Sequence, residues 1–263
     1  MDAAGGEFHR ANKNQPMEFQ NDLSYNRMTN MKEKFIETEN YITLHELVSR
    51  LVELDGNAER MGLAFGNFGL GKTFSLERIA AQFDAILLRT NQTWTVASTL
   101  RLLAEELAID PRGRASDVME RITQEMMRHP RVVIVDEIDT LLPAVKFPVL
   151  ELFRDIHDQV NNVFLMVGME NCDGRLKAHK HFYSRIVAKA KFKQIPRDDI
   201  AKFCTQCEIK VEDDLIGFFA SKYPNLRQVK VFLLRIENWA ELNGVESIGL
   251  KLFKQSGVEH AEK

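Results

Sequence analysis

Cysteine is scarce: the chain has three in 263 residues. An odd, sparse set does not make a disulfide scaffold, and it fits a reducing compartment, so a cytoplasmic location is expected. Long hydrophobic runs are missing as well. No apolar stretch approaches the ~18 residues of a membrane helix. No Lys- or Arg-led apolar segment with a small-residue cleavage site opens the chain, so no membrane partner and no export route are expected. Charge of one sign does not dominate either: 35 Lys and Arg stand against 38 Asp and Glu, a formal net charge of −3. That excludes a uniformly basic nucleic-acid coat and leaves room for a local basic face. Internal repeats and low-complexity tracts are not found. What is present is ordinary globular composition, with 44% hydrophobic, 28% charged and 9% aromatic residues. The length suits one large domain, or a large and a small one.

Met1 to about Asn30 is polar and Asn-rich, without a periodic apolar pattern, and reads as a flexible leader over residues 1–30. Its first ten residues, Met1 to Arg10, have the character of an added expression scar, which makes Met17 a candidate natural start. From Phe35 the pattern changes. Leu44, Leu47, Val48, Leu51 and Leu54 fall at helical spacing and predict a helix over Thr43 to Glu53. Strands are expected at Gly62–Phe65, Ala85–Leu88, Val132–Val135 and Val163–Val167. Helices are expected at Lys72–Gln82, Val96–Leu107, Ala115–Arg128 and Pro148–Asp158. Strands apolar on both faces and separated by helices predict an α/β core with a parallel sheet covered on both sides, over residues 31–195. After Pro196 the strand signals stop. Asp199–Cys207, Glu212–Lys222, Leu226–Leu242 and Ser247–Phe253 look helical, so residues 196–263 are expected to form a small all-helical domain.

The strongest chemical signal is Gly66-Asn67-Phe68-Gly69-Leu70-Gly71-Lys72-Thr73, which matches G-x-x-x-x-G-K-[ST] between an expected strand and an expected helix. Glycines let backbone N–H groups curl around phosphate oxygens, and a helix starting at Lys72 points its positive end at the anion. Lys72 is expected to reach the β and γ phosphates of ATP, and Thr73 to ligate Mg²⁺. The second half of such a site is Val132-Val-Ile-Val-Asp136-Glu137. There Asp136 would hold Mg²⁺ through water, and Glu137 would polarise the attacking water. Two carboxylates are useful here because cation and nucleophile lie side by side.

Together with Tyr183-Ser-Arg185-Ile186 and Pro224-Asn-Leu-Arg227, these motifs occur in the order found in AAA+ ATPases, and the resemblance covers about Phe35 to Phe253. Asp136-Glu-Ile-Asp139, Val149 to Asp158 and Val163 to Gly168 look like the phage Mu B type of transposition ATPase, a pattern shared by Tn7-type target selectors and the ExeA-like group. The resemblance implies a P-loop AAA+ core, a helical lid and ATP-dependent self-assembly into a ring or filament. It implies that Arg185 is an arginine finger entering a neighbour's site, and that Arg227 is a lid sensor contacting the γ phosphate. One departure stands out. The family's fourth strand usually ends in a polar residue touching the γ phosphate, but Met166-Val-Gly168-Met-Glu170-Asn171 offers no Asn, Ser or Thr at the tip. Slow turnover tuned by a partner is the expectation. Thr90 or Asn91, after the second strand, is a candidate restraint on Glu137.

For duplex DNA, two segments are candidates. Asn171 to Arg197 carries eight basic residues, among them Arg175, Lys177, Lys180, Lys189 and Lys191, against Asp173 alone, a segment charge of +7. The plain alternative is a solvated face flanking the finger. Thr93 and Trp94, in the loop after the second strand, are the other candidates; the alternative for Trp94 is a core anchor. Cys204-Thr-Gln-Cys207 is a single C-x-x-C, read as helix packing rather than zinc binding. His157 is read as a helix surface or core residue, and Ser184 lacks a nucleophile's setting. The resulting expectation is an AAA+ ATPase that assembles with ATP on duplex DNA, with little sequence preference, and recruits or activates a transposase. The alternatives are an ExeA-like secretion or signalling ATPase that binds protein, and a replication initiator or loader, which would usually carry a C-terminal winged helix.

Overall fold

The computed structural model describes residues 35–260. The expected leader and its scar lie outside the described residues. Five parallel strands form one sheet in the order β2-β3-β4-β1-β5. They are β1 (Met61–Phe65), β2 (Ile86–Arg89), β3 (Val133–Asp136), β4 (Phe164–Gly168) and β5 (Ile186–Lys191). In β1 to β4 the side chains alternate between two apolar clusters, as a two-residue period requires. Ala64, Ile134, Leu165, Val167 and Ala190 face one cluster, shared with α1 (Glu39–Glu53) and α2 (Lys72–Gln82). Leu63, Leu88, Val133, Val135 and Met166 face the other. That second layer holds α3 (Val96–Glu106), α4 (Ala115–Arg128), α5 (Phe147–Val160), and the short α6 (Cys172–Leu176) and α7 (Lys180–Tyr183).

β5 is the strand that sequence patterning misses. Ile186-Val-Ala-Lys-Ala-Lys191 reads as part of a basic run, yet it pairs with β1 as an edge strand, with Val187, Lys189 and Lys191 exposed. Lysines on an edge are a common guard against stray pairing, so strand chemistry hides inside the charge.

After Pro196 come α8 (Arg197–Cys204), α9 (Asp213–Lys222), α10 (Leu226–Asn243) and α11 (Leu250–Gln255). Ile200, Phe219, Leu233 and Phe253 belong to the same apolar cluster as Leu44 and Ile134, so these helices pack onto the α1 side of the sheet. The ring of Phe219 stacks on Phe232 at 5.6 Å and meets Phe253 edge-on at 5.4 Å. This segment is helical except at one place, which corrects the all-helical expectation. Lys210–Val211 (β6) and Ser247–Ile248 (β7) form a small parallel pair. The helix expected from Ser247 starts only at Leu250, because Gly249 is extended (φ −103°, ψ 177°).

Candidate functional site

All five strands of the sheet run the same way, so their carboxyl ends share one edge, the usual place for ligands in open α/β sheets. β1 delivers Gly66–Gly71 to that edge and β3 delivers Asp136 and Glu137. β4 lies between β1 and β3, so the loop and the acids stand two strand spacings apart, about 10 Å. A phosphate chain with its cation spans such a gap.

The loop Gly66–Thr73 has the backbone its sequence demands. Gly69 has φ +74°, and a Cβ there would lie 2.1 Å from the Asn225 amide oxygen. Gly71, at φ +88°, is the N-cap of α2, and the helix runs on from Lys72 and the exposed Thr73. Leu70 is buried, whereas the Phe68 ring is exposed. The Lys72 ammonium donates to the carbonyls of Gly66 (2.5 Å) and Asn67 (2.6 Å). Burial lowers the pKa of Lys72 and Arg227 lowers it further, while Asp136 and Asp139 act against them. Lys72, Asp136, Asp139 and Arg227 therefore share one electrostatic neighbourhood.

Asp136 is buried, and burial raises its pKa. The Glu137 N–H, donating to its Oδ1 at 2.8 Å, works the other way. A buried carboxyl at a strand end, held above its ordinary value, is a suitable ligand for a hard divalent cation, which favours the ionised form. Glu137 sits in the left-handed region at φ +60°, uncommon for a non-glycine residue, and its side chain is exposed. The donor set fits ATP and Mg²⁺: a glycine-lined helix start and Lys72 for the phosphates, Thr73 and Asp136 for the cation.

Of the two candidate restraints on Glu137, Thr90 reaches it, through the backbone. Its hydroxyl donates to the Glu137 backbone carbonyl at 2.7 Å, and Thr140 Oγ1 lies 3.2 Å from the same carbonyl. Asn91 instead turns into its own loop, accepting from Thr93 N–H and hydroxyl at 2.9 and 2.6 Å. The strand-four tip is occupied from within. The Met169 N–H donates to Asp139 Oδ2 at 2.6 Å, and a Cβ on Gly168 would meet Cys172 Sγ at 2.8 Å and that carboxylate oxygen at 2.9 Å. A polar side chain at position 168 has no room.

Arg185 precedes β5, whose Ile186 pairs with Met61 at the start of β1. The phosphate loop follows the other end of β1, so Arg185 lies at the opposite edge of the sheet, roughly 16 Å away along the strand. There its guanidinium forms two hydrogen bonds with Asp158 (2.7 and 3.0 Å) and lies 3.5 Å from Glu59. His157 is buried beside it, its ring nitrogens 3.0 Å from the Asn162 carbonyl and 2.9 Å from Glu59. Arg227 is exposed in the first turn of α10, on the loop's side.

The two DNA-candidate segments look different in three dimensions. Lys177 and Lys189 both pair with Asp173 (3.1 and 2.8 Å), and Lys191 pairs with Glu170 (2.5 Å). Three of the eight basic side chains are thus held in ion pairs, one of them by Glu170, an acid one residue upstream of the counted segment. Arg175 and Lys180 are exposed and form no ion pair among the described residues. The Trp94 indole is 7% exposed and sits in the second apolar cluster, so it is a core anchor and not a contact group. Thr93 stays exposed in its loop. Cys204 and Cys207 are both buried, and burial raises their thiol pKa values. No helix among the described residues is long and apolar enough to cross a membrane.

Comparison with known proteins agrees with this geometry. Residues 55–176 match the family model described as "AAA domain". A protein of Staphylococcus aureus described as a potential ATP-binding protein is 22% identical, the match spanning 84% of this chain and 94% of that one. The Aeropyrum pernix ORC2 protein, solved as ADPNP–ADP complexes, has a TM-score of 0.64 at 18% identity, over 88% of this chain and 71% of that one. The ORC1 protein of the same organism, solved in complex with DNA, has a TM-score of 0.55 at 15% identity, over 85% and 66%. At these identities the structural likeness speaks for the fold.

Proposed function

We propose that this AAA-type P-loop ATPase assembles on duplex DNA when ATP is bound and there recruits or activates a transposase. The observation that carries the assembly is the position of Arg185. It stands at the sheet edge opposite its own phosphate loop, so it can complete only another subunit's site. A guanidinium supplied from outside neutralises charge on a transferring phosphoryl group. Bound ATP with Mg²⁺ would supply the γ-phosphoryl group for transfer to water. Lys72 and the loop N–H groups would hold its phosphates, Thr73 and Asp136 would hold the cation, and a Glu137 carboxylate oxygen would take the proton of the water. Arg227, on α10, reads the γ phosphate from the lid side, with residues after Pro196 acting as that lid.

Duplex DNA as partner is supported by the exposed, unpaired Arg175 and Lys180 and by the likeness to a protein solved with DNA. Phosphate contacts of this kind bring little sequence preference. The same likeness favours a second reading, a replication-initiator type of ATPase. Titration of duplexes of unrelated sequence, with and without a non-hydrolysable ATP analogue, over a salt series tests the proposal. ATP-dependent binding with a steep salt slope supports a DNA platform, and images with duplex separate ring from filament. Failure to bind any duplex would instead point to the ExeA-like reading with a protein partner. Stimulation of a transposase by the DNA-bound assembly separates target selection from initiation.

A further inference from the structure

In the phosphate loop, five consecutive carbonyls are gripped from within the chain. Gly66 and Asn67 accept from the Lys72 ammonium. Phe68 accepts from Asn225 Nδ2 at 3.1 Å, Gly69 from the Leu226 N–H at 2.9 Å, and Leu70 from Asn40 Nδ2 at 3.4 Å. Two of these grips come from one place, the start of α10, more than a hundred residues downstream. Asn225 works at both ends of its amide. Nδ2 holds the loop, while Oδ1 accepts from the N–H groups of Arg227 (3.0 Å) and Gln228 (3.3 Å) as the N-cap of α10. The two helical donors fix which end is oxygen.

In a planar trans peptide, C=O and N–H point opposite ways. Holding the Phe68 and Gly69 carbonyls against α10 therefore turns the Gly69 and Leu70 N–H groups away from it. No hydrogen bond among the described residues takes either N–H. Both donors are therefore open to an acceptor from outside the chain. We infer that Asn225 is a positioning residue of the nucleotide site: by gripping the loop's carbonyls from behind, it pre-aims the loop's N–H donors at the phosphates and ties their geometry to the helix that carries Arg227. Gly69 belongs to the same device, because a Cβ there would lie 2.1–2.4 Å from three Asn225 side-chain atoms. The inference rests on the reading of Gly66–Thr73 as the ATP site. Through this link nucleotide binding and the seating of α10 are coupled, and coupling of this kind is reciprocal.

The test is Asn225→Ser. Serine keeps a neutral N-cap acceptor but is too short to hold the Phe68 carbonyl, so α10 survives while the grip is lost. Binding of ATP and of ADP, each with Mg²⁺, is measured by calorimetry, and amide exchange is followed in the nucleotide-free protein. The expected result is about tenfold weaker binding of both nucleotides, near the net worth of one ordered hydrogen bond. Faster exchange at Leu226 should accompany it, with unchanged exchange at Leu233 and Ile236 in mid-helix. Gly69→Ala supplies the second arm. If its cost runs partly through Asn225, the double variant loses less than the sum of the singles. Parent-like affinity in Asn225→Ser overturns the inference, and so does loss of protection along the whole of α10, which would mean a structural cap and nothing more. Lys72→Ala separates the two levels. If it binds ATP like the parent, the site reading falls and this inference with it. If it binds poorly while Asn225→Ser binds normally, only the inference falls.

Discussion

The Thr90 hydroxyl donates to the Glu137 backbone carbonyl at 2.7 Å, joining the loop after β2 to the residue after β3. The contact fixes the backbone of a residue held at φ +60° while leaving its carboxylate exposed. Thr90→Val keeps the shape and removes the donor. We expect kcat to fall roughly tenfold, the scale of one lost hydrogen bond, with nucleotide affinity unchanged. Glu137→Gln is the reference: it should bind ATP and hydrolyse it at least ~100-fold more slowly, the low end for losing a positioned base. Steady-state rates beside equilibrium binding check both, and a parent rate in Glu137→Gln would remove that residue from the mechanism.

Asp136 gives a pH signature. Burial raises its pKa above the ordinary carboxylate value of 3.8, so the folded state prefers the neutral acid. The strain is present when the group is ionised, at neutral pH, and is relieved as pH falls through the raised value; below 3.8 both states are protonated and the gain is constant. Asp136→Asn should therefore raise the melting temperature of the nucleotide-free protein at neutral pH, by ~2 °C for each 1 kcal/mol of relief. It should also flatten the acid-side gain and abolish the stabilisation that Mg²⁺–ATP brings. Thermal scans across pH, with and without Mg²⁺–ATP, make the comparison. A variant melting below the parent at neutral pH contradicts the burial argument.

Arg185 should act across a subunit boundary. Neither Arg185→Ala nor Lys72→Ala alone should turn over. A mixture should recover part of the parent rate, because some interfaces pair an intact loop with an intact finger. Mixtures that co-assemble and stay inactive would count against a finger in trans.

The ion pairs decide which lysines to test for DNA. Lys177, Lys189 and Lys191 already have carboxylate partners, whereas Arg175 and Lys180 do not. Arg175→Ala with Lys180→Ala should weaken duplex binding about equally for unrelated sequences and reduce the log–log salt slope by up to ~2. Lys191→Ala should change the slope less. Equal slopes in the double variant and the parent would move the DNA surface elsewhere, with the exposed loop at Thr93 as the next candidate.

Where a candidate site is built from contiguous residues, its placement is legible in the chain. Gly66 to Thr73 needs only a strand, a glycine turn and a helix in succession, and Val132 to Glu137 only a buried strand ending in acids. The apolar periods of α1 to α5 and of β1 to β4 are local signals too, and they sufficed for a parallel sheet covered on both faces. The same chain could not reveal what depends on partners distant in sequence. β5 is disguised because its pairing with β1 is non-local and its exposed positions are lysines. In the basic run Lys177 and Lys189 are held by Asp173, Lys191 by Glu170 and Arg185 by Asp158 and Glu59, and counting charges along a window says nothing of who meets whom. Trp94 was undecided until burial settled it, since an indole suits a core as well as a groove. The cap that Asn225 forms on α10 is a contact over two or three residues. Its grip on Phe68 spans 157 positions. Sequence by itself thus determined the strand–helix frame and the candidate groups it carries, through short-range geometry. Only the tertiary structure decided how those groups are aimed, neutralised and coupled, because those properties belong to contacts between chain segments that no local pattern records.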